Sequence, residues 1–305
     1  MTQISIIIPT YNYGHYIRYA LHSILEQLKD SDLDVEILVI DDCSTDNTRQ
    51  IIEQYSQYPF VKVIVNSQNL GPAKSRNKAI AQASGQYIIF LDADDMLTAG
   101  SLRAIVNFIN THNLPEIIIT DHHSVIRANN SEVIIKKIIK NTNLSPSKNQ
   151  RFQDYLINKS LSIGAGSIVF NKSVLDKFKF CEEAKLNEDI PLFAHAVVNF
   201  DCKYLPFCTV NIFKHADSLR NHHQLLSEEV NTQRLTEIIF DARYIPSELM
   251  YLKNRFLSLR YLSLFRSYYL AKQYSKAKEI YLKSIKIHWL NVFKVSYLGK
   301  FLRCV

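Results

Sequence analysis

Residues 87–95 read Tyr87-Ile88-Ile89-Phe90-Leu91-Asp92-Ala93-Asp94-Asp95. Five apolar residues in a row have the length and composition of a strand buried on both faces. The run then turns at once into three carboxylates. Such a strand belongs in a parallel sheet covered by helices, where ligands bind beyond the carboxyl ends of the strands. The flanking sequence repeats the pattern. Ile4 to Pro9, Val35 to Asp41, Val61 to Asn66 and Ile117 to Asp121 are further short apolar or β-branched runs. Between them lie segments with helical spacing, at about 15–28, 46–57, 71–83 and 99–112. The second opens with Ser44-Thr45-Asp46, which is capping chemistry. Strand alternating with helix predicts an α/β fold of right-handed βαβ units with a mostly parallel sheet.

Polar residues gather just after the strands, as that fold requires. The first strand runs into Pro9-Thr10-Tyr11-Asn12, the second into Asp41-Asp42-Cys43-Ser44, the fourth into Asp92-Ala93-Asp94-Asp95 and the fifth into Asp121-His122-His123. Acidic groups at several ends of one sheet repel unless a cation or a donor-rich ligand offsets them. Asp46 reads as a helix cap, and the role of Asp42 stays open between a cap and a ligand contact.

The remainder is less regular. Two apolar runs around Ala128-Asn129-Asn130 predict a hairpin. Residues 141–151, rich in Asn, Ser and Lys, read as a mobile loop. A strand over 162–170, a helix over 189–200 and an extended run over 203–213 follow, and from about residue 225 the pattern is helical.

The 305 residues are 47% hydrophobic and 21% charged, ordinary values for a globular chain. No apolar run approaches the roughly 18 residues needed to span a bilayer. The N-terminus runs straight into a strand-like segment and reads as having no signal peptide. Five cysteines without a Cys-x-x-Cys pair fit a reduced, cytoplasmic setting and argue against a zinc site. From residue 241 onward there are 13 Lys or Arg against 3 Asp or Glu, whereas the first 240 residues carry 23 against 26. The basicity therefore belongs to the tail.

Four strings carry the chemistry: Ile6-Ile7-Ile8-Pro9-Thr10-Tyr11-Asn12; Val39-Ile40-Asp41-Asp42-Cys43-Ser44-Thr45-Asp46; Gly71 to Asn77, preceded by Asn69 and containing Arg76; and Phe90-Leu91-Asp92-Ala93-Asp94-Asp95. In this order the chain resembles the family 2 glycosyltransferases, which have a GT-A fold. The resemblance covers about residues 3–220. It implies an inverting transferase (hexosyltransferase type) that uses a UDP-sugar. It also implies a catalytic domain over 1–222, with a nucleotide-sugar half to 121 and an acceptor half from 122. Residues 223–305 form a basic helical region outside it.

Two carboxylates at i and i+2 can present oxygens to one hard cation, Mn²⁺ or Mg²⁺. The resemblance implies direct metal contact for Asp94 and places Asp92 near the ribose and metal, with Ala93 in the nucleotide-sugar site and Asp95 in support. A carboxylate can accept the N3 proton of uracil and an aromatic ring can stack on it; the resemblance gives these roles to Asp41 and Tyr11, with Pro9 and Thr10 beside them. It gives Arg76 a contact at or near the base, and Lys74 two residues earlier can reach phosphate. An inverting displacement needs one carboxylate to take the acceptor proton. Asp189, in Asn187-Glu188-Asp189 and 95 residues after Asp94, matches the family's base, with Glu188 supporting. Charge at a helix N-terminus is the alternative for this pair. His215, in Phe213-Lys214-His215-Ala216-Asp217-Ser218, matches a string whose His completes the metal shell or touches the diphosphate. The adjacent pairs His122-His123 and His222-His223 read as loop residues, since neighbours rarely chelate one ion.

The tail interleaves Leu, Tyr and Phe with Lys and Arg. A packed helical appendage and a surface lying on an anionic membrane through residues 244–305, with Trp289 at the interface, both fit. No recognition motif points to nucleic acid. The expected partners are a UDP-sugar and a glycan or lipid-linked acceptor, in bacterial surface-polysaccharide assembly on the cytoplasmic face of the inner membrane. The rivals are a sugar-1-phosphate nucleotidylyltransferase, whose Gly-rich loop Pro9-Thr10-Tyr11-Asn12-Tyr13-Gly14 does not match, and an inactive nucleotide-sugar-binding protein.

Overall fold

The computed structural model describes residues 3–127, 133–184, 187–214 and 225–304. The chain runs β1 (Ile4–Thr10), α1 (Gly14–Leu28), β2 (Val35–Asp41), α2 (Thr48–Glu53), β3 (Val61–Val65), α3 (Pro72–Ile80), β4 (Tyr87–Phe90), β5 (Met96–Leu97) and α4 (Ser101–Thr111). It continues through β6 (Ile117–Arg127), β7 (Val133–Ile139), α5 (Lys148–Gln153), a π-helical turn at Asp154–Asn158, β8 (Ile168–Asn171), α6 (Lys172–Lys177), α7 (Asp189–Asn199) and β9 (Cys202–Phe213). Helices α8 (Leu225–Ile239), α9 (Leu252–Leu270), α10 (Tyr274–Ile287), a 3-10 turn at Trp289–Phe293 and α11 (Val295–Leu302) complete it.

One sheet holds all the strands, in the order β3-β2-β1-β4-β8-β6-β9-β5, with β7 beside β6. The first four are mutually parallel. Strand β8 then enters antiparallel between β4 and β6, and β9 returns parallel to β6. Alternate residues feed two cores. Ile7, Leu38, Ile40, Phe90 and Phe170 face one, beneath α3 and α7; Ile6, Ile8, Ile37, Val39 and Ile89 face the other, beneath α1 and α4. Both faces being covered explains why these strands read as continuous apolar runs.

Three expectations need correction. Strand β6 does not stop at Asp121 but continues to Arg127, so His122 and His123 are strand residues. Both edges of β6 are paired, by β7 and β8 on one side and by β9 on the other, which carries the strand through two polar positions. Asp121 is accordingly buried within the sheet. It accepts from Asn141 N (2.8 Å) and from the Tyr204 hydroxyl (3.0 and 2.9 Å), and takes no part in an acidic cluster. Second, the 141–151 stretch is pinned. Buried Asn141 donates to Thr120 O and Ser162 O, both at 2.9 Å, and α5 begins at Lys148 with the Ser147 hydroxyl as its cap. Arg151 is buried and donates to the carbonyls of Ser145, Pro146, Val197 and Phe200. The polar composition that reads as loop here satisfies backbone groups. Third, β8 starts only at Ile168, because a 3-10 turn over Ala165–Ser167 precedes it. There Gly166 lies so close to Val210 that a Cβ would fall 2.7 Å from its methyl.

The two runs flanking Ala128-Asn129-Asn130 pair antiparallel as β6 and β7; the apex lies outside the described residues. The 222/223 boundary also falls outside them. Beyond it, Leu235, Ile239, Phe240, Ile245, Leu249, Leu252 and Phe256 complete the core beneath α3 and α7. A separate small core joins α9 to α10 through Tyr261, Phe265, Tyr268, Ile280 and Tyr281. Ser258 and Ser284 let these helices approach: each hydroxyl donates to the other's carbonyl at 3.0 Å, and the Asn291 amide reaches both hydroxyls.

Candidate active site

Parallel register brings the strand ends level. Thr10 pairs with Asp41 across β1 and β2, and Leu91 N donates to Ile7 O at 3.0 Å, so the residues after β4 emerge beside them. Asn12, at φ 57°, ties the first two loops together: its N–H donates to Ser44 Oγ (2.9 Å) and its Oδ1 accepts from Thr45 N (2.8 Å). Asn tolerates this left-handed conformation better than a branched residue does. Asn47 and not Asp46 is the cap residue of α2, which has no side-chain cap; Asp46 Oδ1 accepts from Thr48 N at 2.9 Å just ahead of it, and its other oxygen accepts from Gly14 N, at the start of α1.

Asp42 has a distinct role. Its Oδ1 accepts from Asn66 Nδ2 (2.9 Å) and Leu70 N (2.8 Å), and its Oδ2 from Gly71 N (2.7 Å). It therefore holds the loop that leads into α3 and does not cap α2. Gly71 sits at φ 84°, a conformation open to glycine, and Pro72 takes the first helical position. Asp41 is buried, with Oδ1 accepting from Ser44 N at 3.1 Å. Beside it Thr10 is buried and its hydroxyl has no partner among the described residues, whereas Tyr11 is exposed and Pro9 half-buried.

One carboxylate oxygen from each of Asp92, Asp94 and Asp95 falls within 4.8 Å of the others. All-oxygen donors at this spacing fit a hard divalent cation. Asp95 N donates to Asp92 O (3.0 Å), which closes the turn and leaves Ala93 buried inside it. Asp95 Oδ1 accepts from Phe213 N (2.9 Å), which fixes the end of β9 against the turn. His215, two residues further on, lies outside the described residues, as do His222 and His223.

Arg76 is buried, and its guanidinium is held between two carboxylates. Nη2 donates to Asp92 Oδ1 (2.7 Å) and Nη1 to Glu188 Oε1 (2.6 Å). The guanidinium carbon stands 5.1 Å from the Phe180 ring centroid. Burial opposes its charge, but the two carboxylates outweigh burial and hold its pKa above the usual arginine value. Asn77, on the same helix, exchanges hydrogen bonds with the Phe180 backbone, both at 3.0 Å. Lys74 is exposed.

Glu188 precedes the first turn of α7 and Asp189 opens it; Asn187 before them is at φ 55°. Glu188, at the cap position of α7, makes no side-chain capping bond and is committed to Arg76. Tyr155 is buried alongside. Burial first, then the charge of Asp189, keeps its phenol protonated well above the ordinary range. Tyr155 and Phe180 had no signal in the sequence, since each acts through contacts across long stretches of chain, and Asn77 stood in the Gly71–Asn77 string without a role. Asp42 had one, as a second carboxylate at a strand end.

The sequence model of the family described as Glycosyl transferase family 2 matches residues 5–178. Among curated proteins, the poly(ribitol-phosphate) β-N-acetylglucosaminyltransferase TarS of Staphylococcus aureus (strain Mu50) is 38% identical over 120 residues, 39% of this chain and 21% of that protein. The UDP-Glc:α-D-GlcNAc-diphosphoundecaprenol β-1,3-glucosyltransferase WfgD of Escherichia coli is 31% identical over 177 residues, 58% of this chain and 63% of that one. The matched part thus spans less than two thirds of either relative. Among solved structures, S. aureus TarS 1-349 in complex with UDP-GlcNAc superposes with a TM-score of 0.67 at 20% identity, covering 99% of this chain and 89% of the other. That likeness shows the GT-A fold, and the sequence match carries the classification: the chain belongs to glycosyl transferase family 2.

Proposed function

We propose that this protein transfers a sugar from a UDP-sugar to a glycan or lipid-linked acceptor, with inversion at the anomeric carbon, in the assembly of a bacterial surface polysaccharide. One observation carries the reading. The Asp92-Asp94-Asp95 turn is joined through Arg76 to the Glu188-Asp189 segment, which supports a donor-binding role for the first and an acceptor-activating role for the second. The names of TarS and WfgD support the substrate class.

Asp41, beside Thr10, accepts the N3 proton of uracil, and exposed Tyr11 stacks on the ring. Lys74 reaches the diphosphate. Mn²⁺ or Mg²⁺ held by Asp94, with Asp92 and Asp95 in support, would offset charge on the departing diphosphate. Asp189 takes the proton of the acceptor hydroxyl as its oxygen bonds to the anomeric carbon and the bond to UDP breaks. Glu188 and Arg76 hold Asp189 in place. A single displacement inverts the centre, unlike the carboxylate pair of retaining glycosidases.

The catalytic site would lie within residues 1–222, whose core is completed by residues as far as Phe256, with the exposed basic part of 244–305 resting on the anionic cytoplasmic face of a membrane. Among the described residues no helix is long and apolar enough to cross one. The test is UDP release from a panel of UDP-sugars, with and without candidate lipid-linked acceptors. Acceptor-stimulated release is the expected result. Tight UDP binding without turnover on any acceptor would instead favour a binding protein, and uridylyl transfer to a sugar-1-phosphate would favour a nucleotidylyltransferase.

A further inference from the structure

A cavity of about 300 Å³ lies between the Asp154–Asn158 turn, α9 and the Trp289–Phe293 turn. That is the lower end of the range of ligand pockets, roughly 300–1,000 Å³. Its apolar wall is Ile157, Leu259 and Leu290; its polar wall is Arg255, His288, Asn291 and Lys294. No described lining residue is acidic. His288 Nδ1 is buried without a partner among the described residues. The floor is rigid, because Asn291 is held by the Ser258 and Ser284 hydroxyls. Two cations and an imidazole beside an apolar wall fit an anion that carries a hydrocarbon chain. Arginine in particular matches phosphate oxygens two at a time.

The outer rim says where that anion sits. Leu290 both lines the cavity and is 46% exposed. Next to it in sequence Trp289, Phe293, Val295 and Leu302 are each more than 60% exposed. Helix α11 turns Tyr297 and Phe301 inward onto α9 and α10, which leaves Val295 and Leu302 outside. Lys294, Lys300 and Arg303 flank these apolar groups. An apolar ridge set among cations, continuous with a cationic cavity, complements an anionic bilayer interface.

We propose that this cavity binds the phosphate headgroup of an anionic phospholipid while the Trp289–Leu302 ridge rests in the bilayer interface. The inference rests on the membrane contact proposed above and gives it a specific lipid site, with Arg255 and Lys294 on the phosphate and Leu259 and Leu290 on the start of the acyl chains.

Two measurements on the full chain separate the site from general membrane attraction. Trp289 is the sole tryptophan, so its emission reads the ridge directly. It should shift to the blue with phosphatidylcholine vesicles that contain phosphatidic acid, and not with phosphatidylcholine alone. Calorimetric titration with monomeric dihexanoyl phosphatidic acid should then show saturable one-to-one binding. Arg255→Ala or Lys294→Ala should weaken it at least about tenfold, the scale of one lost charged hydrogen bond. Lys278→Ala, an exposed charge outside the cavity, should leave it unchanged, with circular dichroism confirming the fold of each variant. If vesicles shift the emission but the short-chain lipid shows no saturable binding, the cavity assignment is wrong and the membrane contact stands. If vesicles have no effect, both fail. Inorganic phosphate binding as tightly as the lipid, or equal loss in Lys278→Ala, would overturn the lipid site.

Discussion

Arg76 Nη1 lies 2.6 Å from Glu188 Oε1, joining two helices whose contacting residues are 112 positions apart in the chain. The same guanidinium holds Asp92, so one buried cation couples the acidic turn after β4 to the start of α7. Replacing Arg76 by Met should leave two facing carboxylates without their counter-ion. A broken buried pair costs about 3–5 kcal/mol, with the lower end apt because Asp92 is 40% exposed. The unfolding midpoint should fall by roughly 5–10 °C, and adding Glu188→Gln should recover part of the loss. Thermal denaturation of the single and double variants checks this; a single variant as stable as the parent would dissolve the clamp.

Asp94→Ala should abolish the metal-dependent part of UDP binding while the fold is kept. The basis is the trio of carboxylate oxygens within 4.8 Å. Calorimetric titrations of UDP with Mn²⁺ and with chelator make the comparison, and an unchanged difference between them would move the metal elsewhere.

Asp189→Asn should retain UDP binding and lower turnover at least about 10²-fold, the usual scale for a general base. Near-normal turnover in the purified variant would shift the base to Glu188, although that carboxylate is already engaged by Arg76.

Acid should weaken the fold through His122. Burial, ahead of any neighbouring charge, pushes its pKa down from 6.5 to about 4, and its Nδ1 has no partner among the described residues. The unfolded chain then binds a proton at a higher pH than the folded one. The resulting stability is complete above about pH 6.5 and declines as pH falls toward 4. Between pH 7 and about pH 4.5 the loss should be about 2–3 kcal/mol. Urea unfolding of the parent and of His122→Asn across that range tests it: the variant should lack this component.

Truncation after residue 240 should leave a chain that does not fold, because it strips Ile245, Leu249, Leu252 and Phe256 from the main core. Each such loss costs about 2–5 kcal/mol, against a total stability of about 5–15. Truncation after Ile287 spares that core and should stay folded. Circular dichroism of both fragments decides; a folded, cooperative 1–240 fragment would contradict the packing described.

The parallel half of the fold could be read in advance because β1 to β4 announce themselves locally, as apolar runs that end in polar strings. The carboxylate-rich turn after β4 was readable for the same reason. The connection of Arg76 to Glu188 was not, since nothing near Arg76 in sequence distinguishes a ligand contact from an internal clamp. Strand β6 was cut short for a related reason: two histidines resemble a loop until β9 and β7 supply partners on both sides. The basic tail looked separable because charge is counted along the chain, whereas Phe256 and Ile7 share one core.

That shared core sets an order of events during synthesis. Ile7 leaves the ribosome well before Phe256, and the face of the sheet it occupies, covered in part by α3 and α7, is not fully covered until Phe256 has emerged. At roughly 5–20 residues per second this is an interval of about 10–50 s. Until then the part of the core that Leu235 to Phe256 cover is open to other nascent chains. The protein should therefore depend on chaperone holding more than a domain whose core closes within its first 220 residues, and its yield should respond to translation rate.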